Sequence, residues 1–162
     1  MLTKKNIINF GILGGTFDPP HKGHLFISKL ALKKFYLKKL FWVITKKNPL
    51  KSKPYLDIKK RIRLSKKITR KEKRIYIRCL EDKIKSKNTY DLLRYIKAKN
   101  KNVKVYFIIG ADNLIKFHKW KNWHKIPKFA KIVVFHRKSY SIKSLNSIVR
   151  KKLKKNDLIY VN

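Results

Sequence analysis

Apolar residues in this chain gather into short unbroken runs separated by amphipathic stretches. Residues 7–13, 40–45, 75–78, 103–109 and 132–135 are the runs, and each reads as a strand, most of them buried. Between them, residues 24–36 place Leu25, Ile27, Leu30, Ala31, Leu32 and Phe35 at helical spacing. Residues 58–68 set Ile58, Ile62, Leu64 and Ile68 among cations, which predicts an amphipathic helix. Asn88 or Thr89 is placed to cap a helix through Leu92, Leu93 and Ile96, and residues 112–123 read as helical. Residues 46–54, punctuated by Pro49 and Pro54, read as a loop. Beyond Ser139 the pattern fades into a helix over 142–153 and a last apolar stretch, 158–161. Strands that are apolar throughout and alternate with helices predict an α/β fold, a parallel sheet flanked by helices on both faces. Ligands of such sheets sit beyond the carboxyl ends of the strands.

Composition changes this picture little. A chain of 162 residues fits one domain with one real core. The charge of +37 is large enough to attract nucleic acid or anionic membrane without specificity. Of the 45 cations, however, 37 are Lys and 8 are Arg, and base readers lean on the planar fork of Arg. Lys, Ile (20) and Asn (11) rise together while Ala (4) and Gly (5) fall, which reads as a coding bias rather than a binding surface. No specific nucleic acid is therefore expected as a partner, though a polyanion surface stays open. No run approaches a membrane span, so no membrane partner is expected, and residues 1–10 lack the core of a signal peptide. One cysteine, Cys79, suits a reducing compartment, and the expected location is cytoplasmic. Oligomeric state is not written in the sequence, and a homo-oligomer stays open.

In a chain so poor in glycine, the placement of glycine is informative. Four of the five lie between residues 11 and 23, and the fifth, Gly110, ends the strongest predicted strand. Alone, Gly14 and Gly15 could be only a tight strand-to-helix turn. They open the segment GGTFDPPHKGH, residues 14–24, between strand and helix, where backbone N–H groups and the helix dipole can receive phosphate. His21 and His24 are three apart and face one side of a first helical turn. Two imidazoles there can stabilise charge on phosphates and on a leaving pyrophosphate, and Gly23 between them leaves room for a nucleotide. A zinc site fits this chain poorly, with one thiol and few carboxylates, and no protein-held metal is expected. A Walker P-loop is absent.

These residues resemble the G-x-F-D-P-x-H-x-G-H signature of the HxGH nucleotidyltransferase superfamily, whose fold is Rossmann-like. Gly110, Ala111, Asp112 and Asn113, followed by Trp120 and Trp123, are similar to the GADN…W..W pattern of bacterial nicotinate-nucleotide adenylyltransferase. Residues 88–93 (NTYDLL) resemble its T-x-D-T-L segment, with Leu92 in place of Thr. Asn48, Pro49 and Lys51, and the pair Val133 and Val134 leading to Arg137, follow in the family's order. The resemblance implies adenylyl transfer from ATP to nicotinate mononucleotide, with Mg²⁺ accompanying ATP. It implies catalytic roles for His21 and His24, and ATP or phosphate contacts from Gly14, Gly15, Thr16, Phe17, Gly23, Gly110 and Asp112. Thr89, Trp120, Lys51 and Arg137 are the implied contacts of the nicotinate nucleotide. Trp42 is expected in the core, His118, His124 and His136 in structural or surface places. Asp57, Glu72, Glu81, Asp82 and Asp157 are expected to be isolated surface charges.

The family's closing I-S-S-T-x-I-R segment has only a poor match, at residues 144–150, and is expected to be missing from this one domain. Pantetheine-phosphate adenylyltransferase and cytidylyltransferases share the HxGH element and stay open as alternatives. The former typically has Thr where His21 stands and lacks the tryptophan pattern. A non-catalytic basic nucleic-acid-binding protein is the remaining alternative, and it leaves the glycine clustering unexplained.

Overall fold

The computed structural model describes residues 6–48, 50–136 and 140–162. Six parallel strands form one sheet: β1 (Ile8–Gly15), β2 (Lys39–Ile44), β3 (Ile75–Arg78), β4 (Val103–Gly110), β5 (Lys131–Phe135) and β6 (Leu158–Val161). Their order across the sheet is β3-β2-β1-β4-β5-β6, so the winding reverses between β1 and β4. Ligand clefts of doubly wound sheets open at that reversal. β1 reaches the carboxyl edge with Gly14 and Gly15, paired to Val43 and Ile44 of β2. β4 ends there with Gly110.

Side-chain alternation divides the core into two layers. Val105, Phe107 and Ile109 of β4 join Ile12, Val43, Ile132 and Val134 on one face. Tyr106 and Ile108 join Leu13, Trp42, Ile44 and Val133 on the other. The first face is covered by α4 (Thr89–Lys99), through Leu92, Leu93 and Ile96, and by α5 (Ala111–Lys116). The second is covered by α1 (Lys22–Lys34) and α2 (Ile58–Thr69). A turn of helix not anticipated from the sequence, α3 (Glu81–Ile84), follows β3.

Three helices differ from the expectation, each for a local reason. The inward stripe of α2 is polar: Arg61, Ser65 and Thr69 are buried, while Ile58, Ile62 and Ile68 pack along its flanks. Residues 112–123 do not form one helix. α5 passes into a 3₁₀ turn over Phe117–Lys119, and Trp120 is then extended (φ −81°, ψ 144°). Packing wins over helix continuity there, because the extended backbone lets the indole meet Phe107 and Phe117. Residues 142–153 split into α6 (Ser141–Leu145) and α7 (Ile148–Lys152), because Ser147 turns its hydroxyl to cap the Arg150 N–H.

The acidic residues are engaged rather than isolated. Asp57 caps α2 by accepting from Lys60 N at 2.8 Å, and that N–H holds its carboxyl below the ordinary range. Glu72 meets Arg74, Asp82 meets Lys46 and Asp157 meets Lys131. Among the described residues, no helix is long and apolar enough to cross a membrane.

Candidate active site

The signature segment links the end of β1 to the first turn of α1, and its side chains build that turn. His21 is the N-cap, extended at φ −141°, ψ 171°, and its Nδ1 accepts from Gly23 N at 3.1 Å. His24 reciprocates, with its Nδ1 accepting from His21 N at 3.2 Å. The pair is a capping box written in imidazole, doing what Ser and Glu do at ordinary helix starts. With Nδ1 accepting, Nε2 is the nitrogen left on each ring to donate. The two rings lie 3.9 Å apart.

Beneath them runs an aromatic column. Phe17 is 2% exposed, tilts against His24 at 4.7 Å and stacks on Trp42 at 4.8 Å. Trp42 donates its indole N–H to Ser28 Oγ (2.8 Å), whose hydroxyl donates to His24 O (2.7 Å). Trp42 is thus fully buried, as expected, and also fixes His24 from below. Phe17 sits at φ 52°, a left-handed conformation that costs a non-glycine residue energy. Its place in the column holds it there. Phe17 therefore supports the histidines instead of facing the cleft. At Gly23 a Cβ would lie 2.9 Å from His21 Nδ1, so the missing side chain makes room for the histidine cap.

The adjoining cleft opens beyond the carboxyl ends of β1 and β2. Gly14, Gly15 and Thr16 form one wall, and Thr45, Lys51 and Glu81 stand nearby. Thr89, Asn113 and Trp120 close the other side. Three of the expected nucleotide contacts, Lys51, Thr89 and Trp120, thus come together, while Arg137 lies outside the described residues. The Trp120 ring is tilted on Phe117 at 4.7 Å and edge-on to Phe107 at 6.1 Å, which fixes its plane. Asn88 begins α4 without giving its helix a side-chain cap, and its amide donates to Ser86 Oγ instead. The first N–H groups of α4 are therefore without that cap beside a cleft lined by Lys51, Lys87, Lys119 and Lys121. Such an arrangement attracts an anion. Gly110 and Asp112 stand at the start of α5 on the same sheet edge. The next residue, Asn113, lines the cleft itself.

Two residues that the sequence reading set aside or left without a role belong to this site. Glu81 accepts from Thr45 Oγ1 at 2.5 Å and from Lys46 N at 3.1 Å, and so holds the loop after β2. Asp91 accepts from Ser86 Oγ (2.7 Å) and pairs with Lys121 (3.3 Å), joining the start of α4 to the segment behind Trp120. Burial raises the Asp91 carboxyl, but the bonds from Ser86 and Lys121 outweigh it and leave the group below its ordinary range. The sequence signal was the T-x-D spacing itself, which says nothing of Lys121 thirty residues on. Cys79 is half-buried, and burial pushes its thiol up, away from a nucleophile's range.

Glycines at the carboxyl end of β1, a histidine-capped helix start and an aromatic-walled, lysine-lined cleft on a doubly wound sheet fit a nucleotide-handling transferase. The cytidylyltransferase-like family model matches residues 12–159, the greater part of the chain. A Pelagibacter ubique (strain HTCC1062) protein named "Probable nicotinate-nucleotide adenylyltransferase" is 49% identical over 152 residues, covering 94% of this chain and 84% of its own. A Ruegeria sp. (strain TM1040) protein of the same name is 39% identical over 127 residues, covering 78% and 67%. The fold matches the Plasmodium falciparum nicotinic acid mononucleotide adenylyltransferase complexed with NaAD, with TM-score 0.78 and 23% identity over 95% of this chain and 75% of that one. The chain belongs to the nicotinate-nucleotide adenylyltransferase family, within the HxGH nucleotidyltransferases.

Proposed function

We propose that this protein transfers the adenylyl group of ATP to nicotinate mononucleotide, giving deamido-NAD and pyrophosphate. The observation that carries the reading is the cleft in which Trp120, Thr89 and the start of α4 face the β1 glycines. A flat pyridine ring fits against the indole, and its carboxylate suits the N–H groups of α4 and the surrounding lysines. A neutral carboxamide would gain less there, so the acid is preferred over its amide. The names of the relatives favour this substrate over the pantetheine-phosphate and cytidylyl alternatives.

The substrate phosphate then attacks the α-phosphorus of ATP in line, a P–O bond forms, and the bond to pyrophosphate breaks. No enzyme nucleophile is needed, and catalysis is positioning and charge stabilisation. Gly14, Gly15 and Thr16 cradle phosphate with backbone N–H groups, and the Nε2 donors of His21 and His24 meet the charge gathering on the leaving group. Gly110 and Asp112 border the nucleotide, and Lys51 attracts the mononucleotide. Arg137 is proposed for the same role as Lys51 on the resemblance alone. Among the described residues no group of three or more His, Cys, Asp or Glu comes together as a cation site. Mg²⁺ brought with ATP would neutralise phosphate charge there. The setting proposed is cytoplasmic.

Pyrophosphate release with ATP and Mg²⁺ tests the reading, comparing nicotinate mononucleotide, its amide and phosphopantetheine. Release with the first and little with the others is expected, and EDTA should abolish it. Preference for phosphopantetheine, or for CTP over ATP, overturns the assignment.

A further inference from the structure

Arg61 is 2% exposed, and among the described residues no carboxylate pairs with it. A buried charge without a counter-ion is costly unless its hydrogen bonds are fully met. Here they go to four main-chain carbonyls on three segments. Nε donates to Leu56 O at 3.0 Å, Nη2 to Lys46 O at 2.9 Å, and Nη1 to both Thr16 O (2.7 Å) and Thr45 O (2.8 Å). Thr16 and Thr45 are walls of the cleft. The same segments are tied from their other sides: Glu81 takes Lys46 N, and Asp18 takes Tyr55 N and Leu56 N. The loops after β1 and β2 thus meet on one planar cation.

We propose that Arg61 is a positioning residue for adenylyl transfer, fixing the phosphate-cradling end of β1 against the loop that leads from β2 to Lys51. This rests on the reading of function given above. A planar fork is what the task requires, because its donors leave in fixed directions toward separate strands. Lysine keeps the charge but offers three donors from one point, and cannot span three segments. Arg61 touches no reacting atom. It acts by setting where the two substrates stand relative to each other, and errors of about 1 Å in that placement cost about a hundredfold in rate.

The test compares Arg61→Lys and Arg61→Gln with wild type, well below each variant's melting temperature. The neutral glutamine variant avoids burying an unpaired ammonium and serves if the lysine variant does not fold. Expected is a fall in kcat of about tenfold or more in both, with KM for either substrate moving less than about threefold. A purely structural arginine would lower melting temperature and leave kcat of the folded protein within about twofold, which overturns the proposal. Amide exchange in the substrate-free protein reads the clamp without reference to chemistry. Lys46, Tyr55 and Leu56 should exchange faster in the variants while β4 keeps its protection, and unchanged exchange there also overturns the proposal. Wild-type protein that releases no pyrophosphate defeats the functional reading instead, and the exchange measurement still decides the clamp.

Discussion

Replacing His21 with asparagine separates two roles that its ring combines. Asparagine is among the best N-caps, so His21→Asn keeps the first turn of α1, while the outward Nε2 donor is lost. Melting temperature should stay near wild type and turnover should fall by about a hundredfold or more, the scale for losing one transition-state donor. His21→Ala should lose the same activity and also about 1 kcal/mol of stability, read by thermal melting. Trp120→Ala should act on the other substrate, raising KM for nicotinate mononucleotide by about tenfold while KM for ATP moves little. Asp91 carries a pH signature. Its carboxyl lies below the ordinary 3.8 in the folded protein, so its bonds to Ser86 and Lys121 stabilise the fold above that range. That stability is lost as falling pH protonates the folded group. Acid melting curves should show wild type losing its advantage over Asp91→Asn below about pH 4.

At the level of elements, α1 ends in a turn that usually calls for glycine. Leu37 N donates to Leu32 O (3.0 Å) and Tyr36 N to Lys33 O (3.3 Å), the two bonds of a Schellman motif, with Tyr36 left-handed at φ 49° and 86% exposed. Tyr36→Gly should therefore stabilise the protein by about 0.5–1 kcal/mol, raising the melting temperature by roughly 1–4 °C. A chain with five glycines accepts such strain rather than spend one here. Five strands were legible because apolar run length is a local signal, and they fall where the pattern placed them, while the last apolar stretch, 158–161, proves to be the sixth, β6. The histidine segment was legible because its glycines stand out from a glycine-poor background. What stayed hidden was long-range. The polar spine Arg61, Ser65 and Thr69 sits at helical spacing, but hydropathy assigns the buried face to its isoleucine neighbours. Nothing local tells that Arg61 will find four carbonyls, or that Trp120 will leave the helix to reach Phe107. The stack of Phe17 on Trp42 joins residues that only the β1–β2 pairing brings together.

The whole molecule carries 45 cations against 8 acids, and self-repulsion on that scale opposes compaction. Added salt screens it within a Debye length of about 8–10 Å at moderate ionic strength, so melting temperature should rise between low salt and about 0.3 M NaCl. The same screening should weaken any oligonucleotide binding steeply. Turnover at saturating ATP should change far less, because the site's groups act at contact distance. A fall in melting temperature with salt would show that specific ion pairs outweigh the diffuse repulsion. The parallel sheet has a further consequence for anyone who handles this protein. All six strands run the same way, so the chain enters β1 at the amino edge and leaves β6 at the carboxyl edge, where the cleft opens. Sequence fused after residue 162 starts at the carboxyl edge of the sheet, close to the end of β6, whereas the chain runs into β1 at Ile8 from the opposite edge. An affinity tag, a fluorophore or a surface anchor at the carboxyl end therefore starts beside the substrates' approach.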